Sequence, residues 1–385
     1  MKKLILLALI LSGCNVLSPL KKSRIVSVNH LLQAGKYAEA KGVVEEMAND
    51  ETLAEWAKTW YSRGYLCQAA YKEGQRKNDK NLLELYPDQL YVAYESYAKA
   101  ASLDTKGKLD KKLAADNVWL ANELVKLGEK HYGNRNYADA LKAFEHAILL
   151  MQGPGLSTRP EKSLVYNTAL AAYESKDWDK AIRYLDHLQE INYSVNVAYL
   201  LFNAYLGKGD VAGAEKVLEE SIGKYEDHEN LALLLADLQE SRNDKESALK
   251  TLDRAIGRSP SNHKYHLTKG LIYQKADDYE NAIPAYEEAI RLAPDELMIY
   301  VNIATCYYNI GVEIEESARS IRNISEVKKE KEKSAAAFES AVYWLNKAYE
   351  KDPEDETILL KLYDLYKLLR VRDKINGLED KINGH

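Results

Sequence analysis

Three stretches of this chain carry one pattern: NYADALKAFEHAI (136–148), DKESALKTLDRAI (244–256) and DYENAIPAYEEAI (278–290). Each has an alanine near its middle, an aromatic residue or leucine four positions later, and a second alanine seven positions later. Apolar residues at three- and four-residue spacing form one face of an α-helix. The three stretches are therefore predicted to be amphipathic helices that pack through equivalent faces.

The central alanine recurs along almost the whole chain. It stands at Ala40, Ala93, Ala140, Ala181, Ala214, Ala248, Ala282 and Ala341. The steps from Ala181 to Ala282 are 33, 34 and 34 residues. A period near 34 residues is the signature of stacked helical hairpins, in which each hairpin contacts only its neighbours. The sequence therefore predicts an all-α fold.

The composition suits a helical scaffold and argues against nucleic acid as a ligand. The chain has 385 residues, 28 tyrosines against 3 phenylalanines, and a net charge of −6. Tyrosine combines an apolar ring with a hydroxyl that can stay in contact with water. Because recognition of nucleic acid normally needs a basic face, we expect no nucleic-acid partner.

The first residues are predicted to be a removable signal rather than part of the fold. Two lysines at 2–3 precede an apolar run that is too short to span a bilayer as a mature helix. The following LSGC, which ends at Cys14, resembles the lipobox of bacterial lipoproteins. That resemblance implies a signal peptide over 1–13, lipidation of Cys14 and a tether over 14–20. The alternative is an ordinary secretory signal, or a cytosolic start, with an incidental cysteine.

The two other cysteines are Cys67 and Cys306. Both fall at inward-facing sites of predicted helices in distant repeats. We therefore expect small buried core residues rather than a disulfide, even in an oxidising compartment.

Each unit divides into two helices joined by a short turn. Residues 263–296 show this best, with matching residues at Gly270, Tyr273, Tyr279, Ala282, Tyr286, Ala289 and Pro294. This repeat resembles those of the tetratricopeptide repeat (TPR) family, and the resemblance covers residues 21–368. It implies a right-handed α-α superhelix of about eight helical hairpins, followed by a C-terminal capping helix pair whose final stretch is 369–385.

Two repeats are longer than the others, at about 57–107 and 297–355. The first insertion breaks at Pro87 and is predicted to be a loop with a short helix. The second keeps isoleucines and a valine at helical spacing, so we expect both helices of that hairpin to be prolonged into an arm. The pattern leaves open whether the arm over 311–340 dimerises. With its two elongated units, this chain resembles a group of TPR proteins that is common among Bacteroidetes.

No arrangement of residues in the sequence indicates catalysis. There is no glycine-rich phosphate loop, zinc-ligand spacing or nucleophile elbow. His263 and His266 lie three residues apart on a predicted helix, but no third ligand accompanies them. We therefore interpret them as surface histidines and expect no enzymatic activity, no metal and no cofactor.

The candidate binding site comes from the resemblance. In the TPR family the first helix of each repeat lines the concave side of the superhelix, and its inner residues recur at regular positions. Carried onto this sequence, that rule gives a groove with Tyr61, Tyr65, Tyr132, Tyr166, Leu170, Tyr173, Tyr199, Asn203 and Tyr308. Such a tyrosine-rich groove would suit an extended peptide or an amphipathic helix.

The tyrosines predicted to line this groove have an alternative role, and one known TPR binding mode does not fit them. A chain with 28 tyrosines places them everywhere, including between repeats, so a purely structural role is the alternative. Chaperone-docking TPR domains also hold a C-terminal carboxylate with lysine and asparagine on this face. Only Asn203 matches that arrangement, so we expect the carboxylate clamp to be absent.

Together these features predict a non-catalytic scaffold lipoprotein that binds a protein or peptide and is attached to a membrane through its lipid. The expected location is the bacterial cell envelope, on the periplasmic face of the outer membrane. Assembly of an envelope complex is one role such a scaffold could serve. The alternative is an envelope module that binds peptidoglycan or another glycan, with the same tyrosines stacking on sugars.

Overall fold

The computed structural model describes residues 22–153, 156, 159–226 and 228–382. Throughout these ranges the regular secondary structure is helical, and no strand is present. The prediction of an all-α fold built from successive helical hairpins is therefore confirmed. The predicted signal peptide over 1–13, Cys14 and the tether over 14–20 lie outside the described residues.

Nineteen helices follow one another along the described chain. They are α1 (22–33), α2 (Tyr37–Asn49), α3 (Ala57–Lys77), α4 (Lys80–Leu83), α5 (Gln89–Leu103), α6 (Asp110–Gly133), α7 (Tyr137–Met151), α8 (Lys162–Glu174), α9 (Trp178–Glu190), α10 (Val195–Lys208), α11 (Val211–Lys224), α12 (Glu229–Ser241), α13 (Lys245–Arg258), α14 (His263–Lys275), α15 (Tyr279–Leu292), α16 (Leu297–Ala318), α17 (Ile324–Lys351), α18 (Glu356–Leu369) and α19 (Arg372–Ile382).

The chain forms two compact units, the first ending at Asp210 and the second beginning at Val211. In the first unit, α3 packs on α5, α6 on α7, and α8 on α9. Each hairpin also contacts the next, for example through α7 and α8. In the second unit, the hairpins α12/α13, α14/α15, α16/α17 and α18/α19 are arranged in the same way. The last of them is the C-terminal pair that the sequence predicted as a cap.

The recurring alanines mark where the two helices of a hairpin approach most closely. All eight are buried, with at most 1% of their surface exposed. Opposite them, the first helix carries a residue without a side chain in several repeats. A Cβ atom added to Gly128 would lie 2.5 Å from the Phe144 ring, and one on Gly270 would lie 2.6 Å from the Tyr286 ring. In each of these hairpins, an aromatic ring of the second helix therefore occupies the space that a side chain at the glycine would fill.

A similar contact joins consecutive hairpins in the first unit. Trp178, the first residue of α9, lies against Gly207 of α10, where an added Cβ atom would come 2.7 Å from the indole ring. Trp178 therefore fills the space between its own hairpin and the next.

The first long repeat contains the short helix α4 between α3 and α5. Asp79 caps α4 by accepting a hydrogen bond from the Asn81 amide at 2.9 Å. Leu83 packs on Gly74 of α3, where an added Cβ atom would lie 2.9 Å from the leucine side chain. The insertion therefore folds back onto the prolonged end of α3.

Helix α6 is longer than the sequence pattern indicated. The repeat that contains Ala140 matches the pattern only from about residue 121 onward, but α6 begins at Asp110. Leu113 and Leu120 are fully buried, which explains why the added turns are helical and not a loop. These turns place Asp116 against α3, where it accepts a hydrogen bond from Gln68 at 2.8 Å.

The second long repeat contains α16 and α17, which have 22 and 28 residues. Phe338 packs on Gly311, where an added Cβ atom would lie 2.5 Å from the ring. This contact lies seven residues beyond Ala304 on α16 and seven residues before Leu345 on α17, both of which are buried. The close helix–helix contact in this pair therefore lies two turns beyond Ala304, in the prolonged part of the two helices.

Both described cysteines are free and buried, as predicted. Burial raises the pKa of the Cys67 thiol to about 12, and it does the same for Cys306. Each sulfur therefore stays protonated at neutral pH and behaves as a small apolar group.

A charged network ties α2, α3 and α5 together near the first insertion. Arg63 Nε donates to Glu45 Oε1 at 2.8 Å, and the Tyr86 hydroxyl donates to the same oxygen at 2.7 Å. Arg63 Nη1 also donates to Ser96 Oγ of α5 at 3.2 Å. Burial of Glu45 opposes its ionisation, but the hydrogen bonds from Arg63 and Tyr86 outweigh that effect and lower its pKa below the usual 4.5.

We expect Glu45→Gln to lower the melting temperature at neutral pH and to have less effect in acid. A carboxyl whose pKa is lower in the folded chain stabilises fully above its unfolded pKa, and this contribution is lost as the pH falls through the folded value. Thermal unfolding at pH about 7 and about 3 should show the difference from wild type shrinking with acid. Glu95→Gln, on the exposed face of α5, is the control. An equal difference at both pH values would contradict this account of the network.

Candidate functional site

The predicted groove residues lie on the first helices of their hairpins, and their side chains differ in accessibility. Tyr65 and Tyr308 are 40% and 42% exposed, and Asn203 is also exposed. The half-buried ones are Tyr61, Tyr132, Tyr166, Leu170, Tyr173 and Tyr199. Tyr308 belongs to the second unit and the other eight to the first.

On α3, Tyr61 and Tyr65 stack with ring centroids 6.1 Å apart and planes 15° from parallel. The Tyr61 hydroxyl donates to Asp116 Oδ2 of α6 at 2.8 Å. Burial, followed by this bond to a carboxylate, raises the pKa of Tyr61. Tyr61 therefore fastens α3 to α6, while Tyr65 beside it presents its ring to solvent.

A second group of tyrosines gathers at α6, α8 and the turn before α10. The Tyr166 and Tyr193 rings lie 5.3 Å apart, and Tyr132 meets Tyr137 edge-on at 5.2 Å. Burial raises the pKa of Tyr132, and Glu174, Tyr137 and Tyr166 lie near enough to add to that rise. We call Tyr132, Tyr137, Tyr166 and Tyr193 the aromatic cluster. It joins two of the predicted groove residues from adjacent first helices.

Tyr193 is a member of this cluster that the sequence reasoning missed. It follows Asn192, whose φ of 49° is left-handed, and its amide donates to the Leu188 carbonyl at 3.0 Å. An Asn followed by an apolar residue at a helix end is the signature of this capping turn, and the apolar residue packs back on the structure. That signal in the sequence could have identified Tyr193, which is 37% exposed.

The remaining residues of the first unit are fixed by their neighbours. Tyr173 meets Trp178 edge-on at 5.6 Å, and Trp178 in turn packs on Gly207. Burial alone raises the pKa of Tyr199. The Tyr173 ring is therefore held in place by Trp178 before any ligand arrives, which reduces the conformational entropy lost on binding.

In the second unit, Tyr308 borders a cavity of about 240 Å³ between α16, α17 and α18. Ala304, Leu345 and Leu365 supply apolar walls, and Lys361 and Asp364 stand at its rim. The Tyr308 ring also lies 5.7 Å from Phe338. The size of the cavity suits one apolar side chain rather than a cofactor.

The described residues also include side chains of the kinds that could hold a metal ion. No three His, Cys, Asp or Glu side chains of the described chain converge in a way that could hold a metal ion. His266 Nε2 lies 3.3 Å from the Pro260 carbonyl oxygen, so at least part of its bonding capacity is used locally. Within the same ranges, every helix is too short or too polar to cross a bilayer.

Comparison with known families supports this description. Residues 156–303 match the family model described as a tetratricopeptide repeat-like domain. The match covers 148 of the 385 residues. No curated protein matches the chain.

Several solved structures are similar to the chain at low identity. A TPR repeat protein from Bacteroides fragilis is 20% identical with a TM-score of 0.38, and the match covers 64% of this chain and 98% of that one. A MamA protein is 20% identical with a TM-score of 0.35, covering 51% and 95%. A human IFIT1 dimer with m7Gppp-AAAA is 14% identical with a TM-score of 0.36, covering 84% and 68%. None is similar enough for a ligand or a role to be transferred.

Proposed function

We propose that this chain is a non-catalytic scaffold that binds a protein or peptide through the first helices of its hairpins. The aromatic cluster carries this proposal, because it contains two close pairs of exposed and half-buried tyrosines. The ring centroids lie 5.2 Å apart in Tyr132–Tyr137 and 5.3 Å apart in Tyr166–Tyr193. Rigid aromatic rings with one hydroxyl each are the side chains that contribute most at protein interfaces.

The proposal extends to the cell envelope through the N-terminal sequence. The LSGC that ends at Cys14 resembles a lipobox, and acyl chains on that cysteine would hold the scaffold at a membrane. We place the protein on the periplasmic face of the outer membrane, where a helical scaffold could assist assembly of an envelope complex.

The binding surface is tested by Tyr166→Ala combined with Tyr199→Ala. Loss of two half-buried rings from adjacent first helices should reduce recovery of a specific protein partner, crosslinked in cells and purified from solubilised membranes, by at least about tenfold. Tyr343→Ala is the matched control, because Tyr343 is 55% exposed but lies on the second helix of its hairpin.

Recovery of the partner that is unchanged in the double variant would contradict the proposal that these tyrosines form the binding surface. The same variants should be tested on purified peptidoglycan without protein. Binding there that depends on Tyr166 and Tyr199 would favour the glycan-binding alternative, because aromatic rings can stack on sugars.

The membrane anchor is tested by labelling growing cells with a palmitate analogue. We expect label in wild type and in Ser18→Ala, which alters the neighbouring tether, and no label in Cys14→Ala. The variant protein should also leave the membrane fraction, because without acyl chains little apolar surface remains to hold it there. Label that persists in Cys14→Ala, or its absence from wild type, would refute the lipoprotein assignment.

A further inference from the structure

A groove of about 590 Å³ lies between α7 and α9, the second helices of two consecutive hairpins in the first unit. Most of its lining lies on α7 and α9, and Val165 is its one lining residue on a first helix, α8. Its apolar lining comes from Ile148, Leu149, Pro160 and Val165. Leu149 is 53% exposed, so a large apolar side chain here meets solvent inside a concave site. We call this the α7–α9 groove.

The second unit contains a groove at the equivalent position of its repeat. Comparing the two grooves separates what the repeat geometry causes from what the individual side chains cause. Between α11 and α13, Glu219 and Ile222 stand five and eight residues after their alanine, as Glu145 and Ile148 do in the α7–α9 groove. That groove measures about 270 Å³.

Two differences explain the contrast between the grooves. Gly223 stands where the α7–α9 groove has Leu149, so the second groove lacks that apolar wall. Arg258 Nη1 also reaches across to the Ile222 carbonyl at 3.5 Å. The larger, more apolar α7–α9 groove is therefore a property of its own side chains and not of the repeat.

Glu145 is the one carboxylate that lines the α7–α9 groove, and two cations share it. It accepts from Lys180 Nζ at 2.7 Å, from the Tyr184 hydroxyl at 3.1 Å and from Arg183 Nη2 at 3.3 Å. Lys180 also lies 3.8 Å from Asp177, outside the lining. Arg183 is therefore the lining cation, and Glu145 engages it through one nitrogen only.

Arg183 also keeps donors available. Within the described residues its hydrogen bonds all come from Nη2, to Glu145 and to the Tyr184 hydroxyl. Its Nε and Nη1 groups are unused, and its side chain is 63% exposed. A guanidinium with free N–H groups in a fixed fork suits a carboxylate oxygen pair.

Two imidazoles complete the rim. His146 lies edge-on to Tyr94 at 4.3 Å and to Tyr91 at 5.3 Å, and its Nδ1 is 2.6 Å from the Lys142 carbonyl oxygen. His187 Nδ1 lies 3.9 Å from Glu190. Both residues line the groove, and each imidazole has a second ring nitrogen, Nε2, that can bond a head group.

We propose that the α7–α9 groove binds an amphiphilic anion, namely a carboxylate carried on a hydrocarbon chain. The head group pairs with the free donors of Arg183, and the chain covers Leu149, Ile148 and Val165. A simple anion would gain little at an exposed arginine, because an ion pair in water contributes only about 0–1 kcal/mol. The apolar part supplies the larger share, at about 0.8 kcal/mol for each buried methylene.

The test is calorimetric titration of the purified full chain with dodecanoate. We expect one site per chain, and binding at least about tenfold weaker for acetate and for the cationic dodecyltrimethylammonium, because the site needs both the chain and the negative head. Arg183→Gln should weaken dodecanoate binding about fivefold, or about 1 kcal/mol. Leu149→Ser should weaken it as well, since it removes apolar contact.

Arg254→Gln is the matched control, because Arg254 lines the equivalent groove between α11 and α13. It should bind dodecanoate as wild type does. Both arginines are exposed, so equal melting temperatures should show that neither change unfolds the chain. Dodecanoate binding that is absent, that is unaffected by Arg183→Gln, or that the cationic amphiphile equals would overturn the proposal. These outcomes are independent of whether the tyrosine surface binds a partner.

Discussion

The close approach of two helices at a residue with no side chain is the contact on which the rest of this structure depends. A ring from the second helix occupies the space that a Cβ atom on the first would need, at Gly64, Gly128, Gly270 and Gly311. The paired alanine is small because the backbones are near. Since interiors are close-packed, such a contact fixes the separation and register of both helices. Once the register is fixed, the outward positions of each first helix are fixed too, and these carry the tyrosines.

The same contact explains how the chain accommodates its insertions. In the α16/α17 pair it is made by Phe338 on Gly311, seven residues beyond Ala304, so the prolonged helices stay packed. In the first long repeat the added length folds back through Leu83 onto Gly74, and the added turns of α6 bring Asp116 to Tyr61 and Gln68. The individual features of this protein are therefore built on a regular framework. Both the tyrosine surface and the α7–α9 groove arise from side chains that the framework leaves free to vary.

The alanine pattern was enough to predict the helical hairpins, because small residues that recur every 34 residues or so indicate helices packed closely at equivalent positions of a repeat. It could also predict the core positions of Cys67 and Cys306. It could not predict that Tyr61 is engaged by Asp116, since that contact depends on eleven helical residues of α6 that no repeat pattern marks. Tyr193 was missed because it lies in a turn and not on a helix face. The α7–α9 groove is lined by α7, by Pro160 and Val165, and by α9. The spacing of residues in the sequence does not show how far apart these three segments lie, so the groove could not be predicted.

The most direct test of the central contact is a double-mutant cycle on Gly128 and Phe144, measured by urea unfolding. Gly128→Ala should destabilise by about 1–3 kcal/mol, because its Cβ atom would meet the Phe144 ring at 2.5 Å. In the Phe144→Leu background the same change should cost much less, giving a coupling energy of about 0.5–3 kcal/mol. Gly42→Ala, in open space on α2, should instead stabilise by about 0.5–1 kcal/mol. The account is contradicted if Gly128→Ala stabilises as Gly42→Ala does, with no dependence on Phe144.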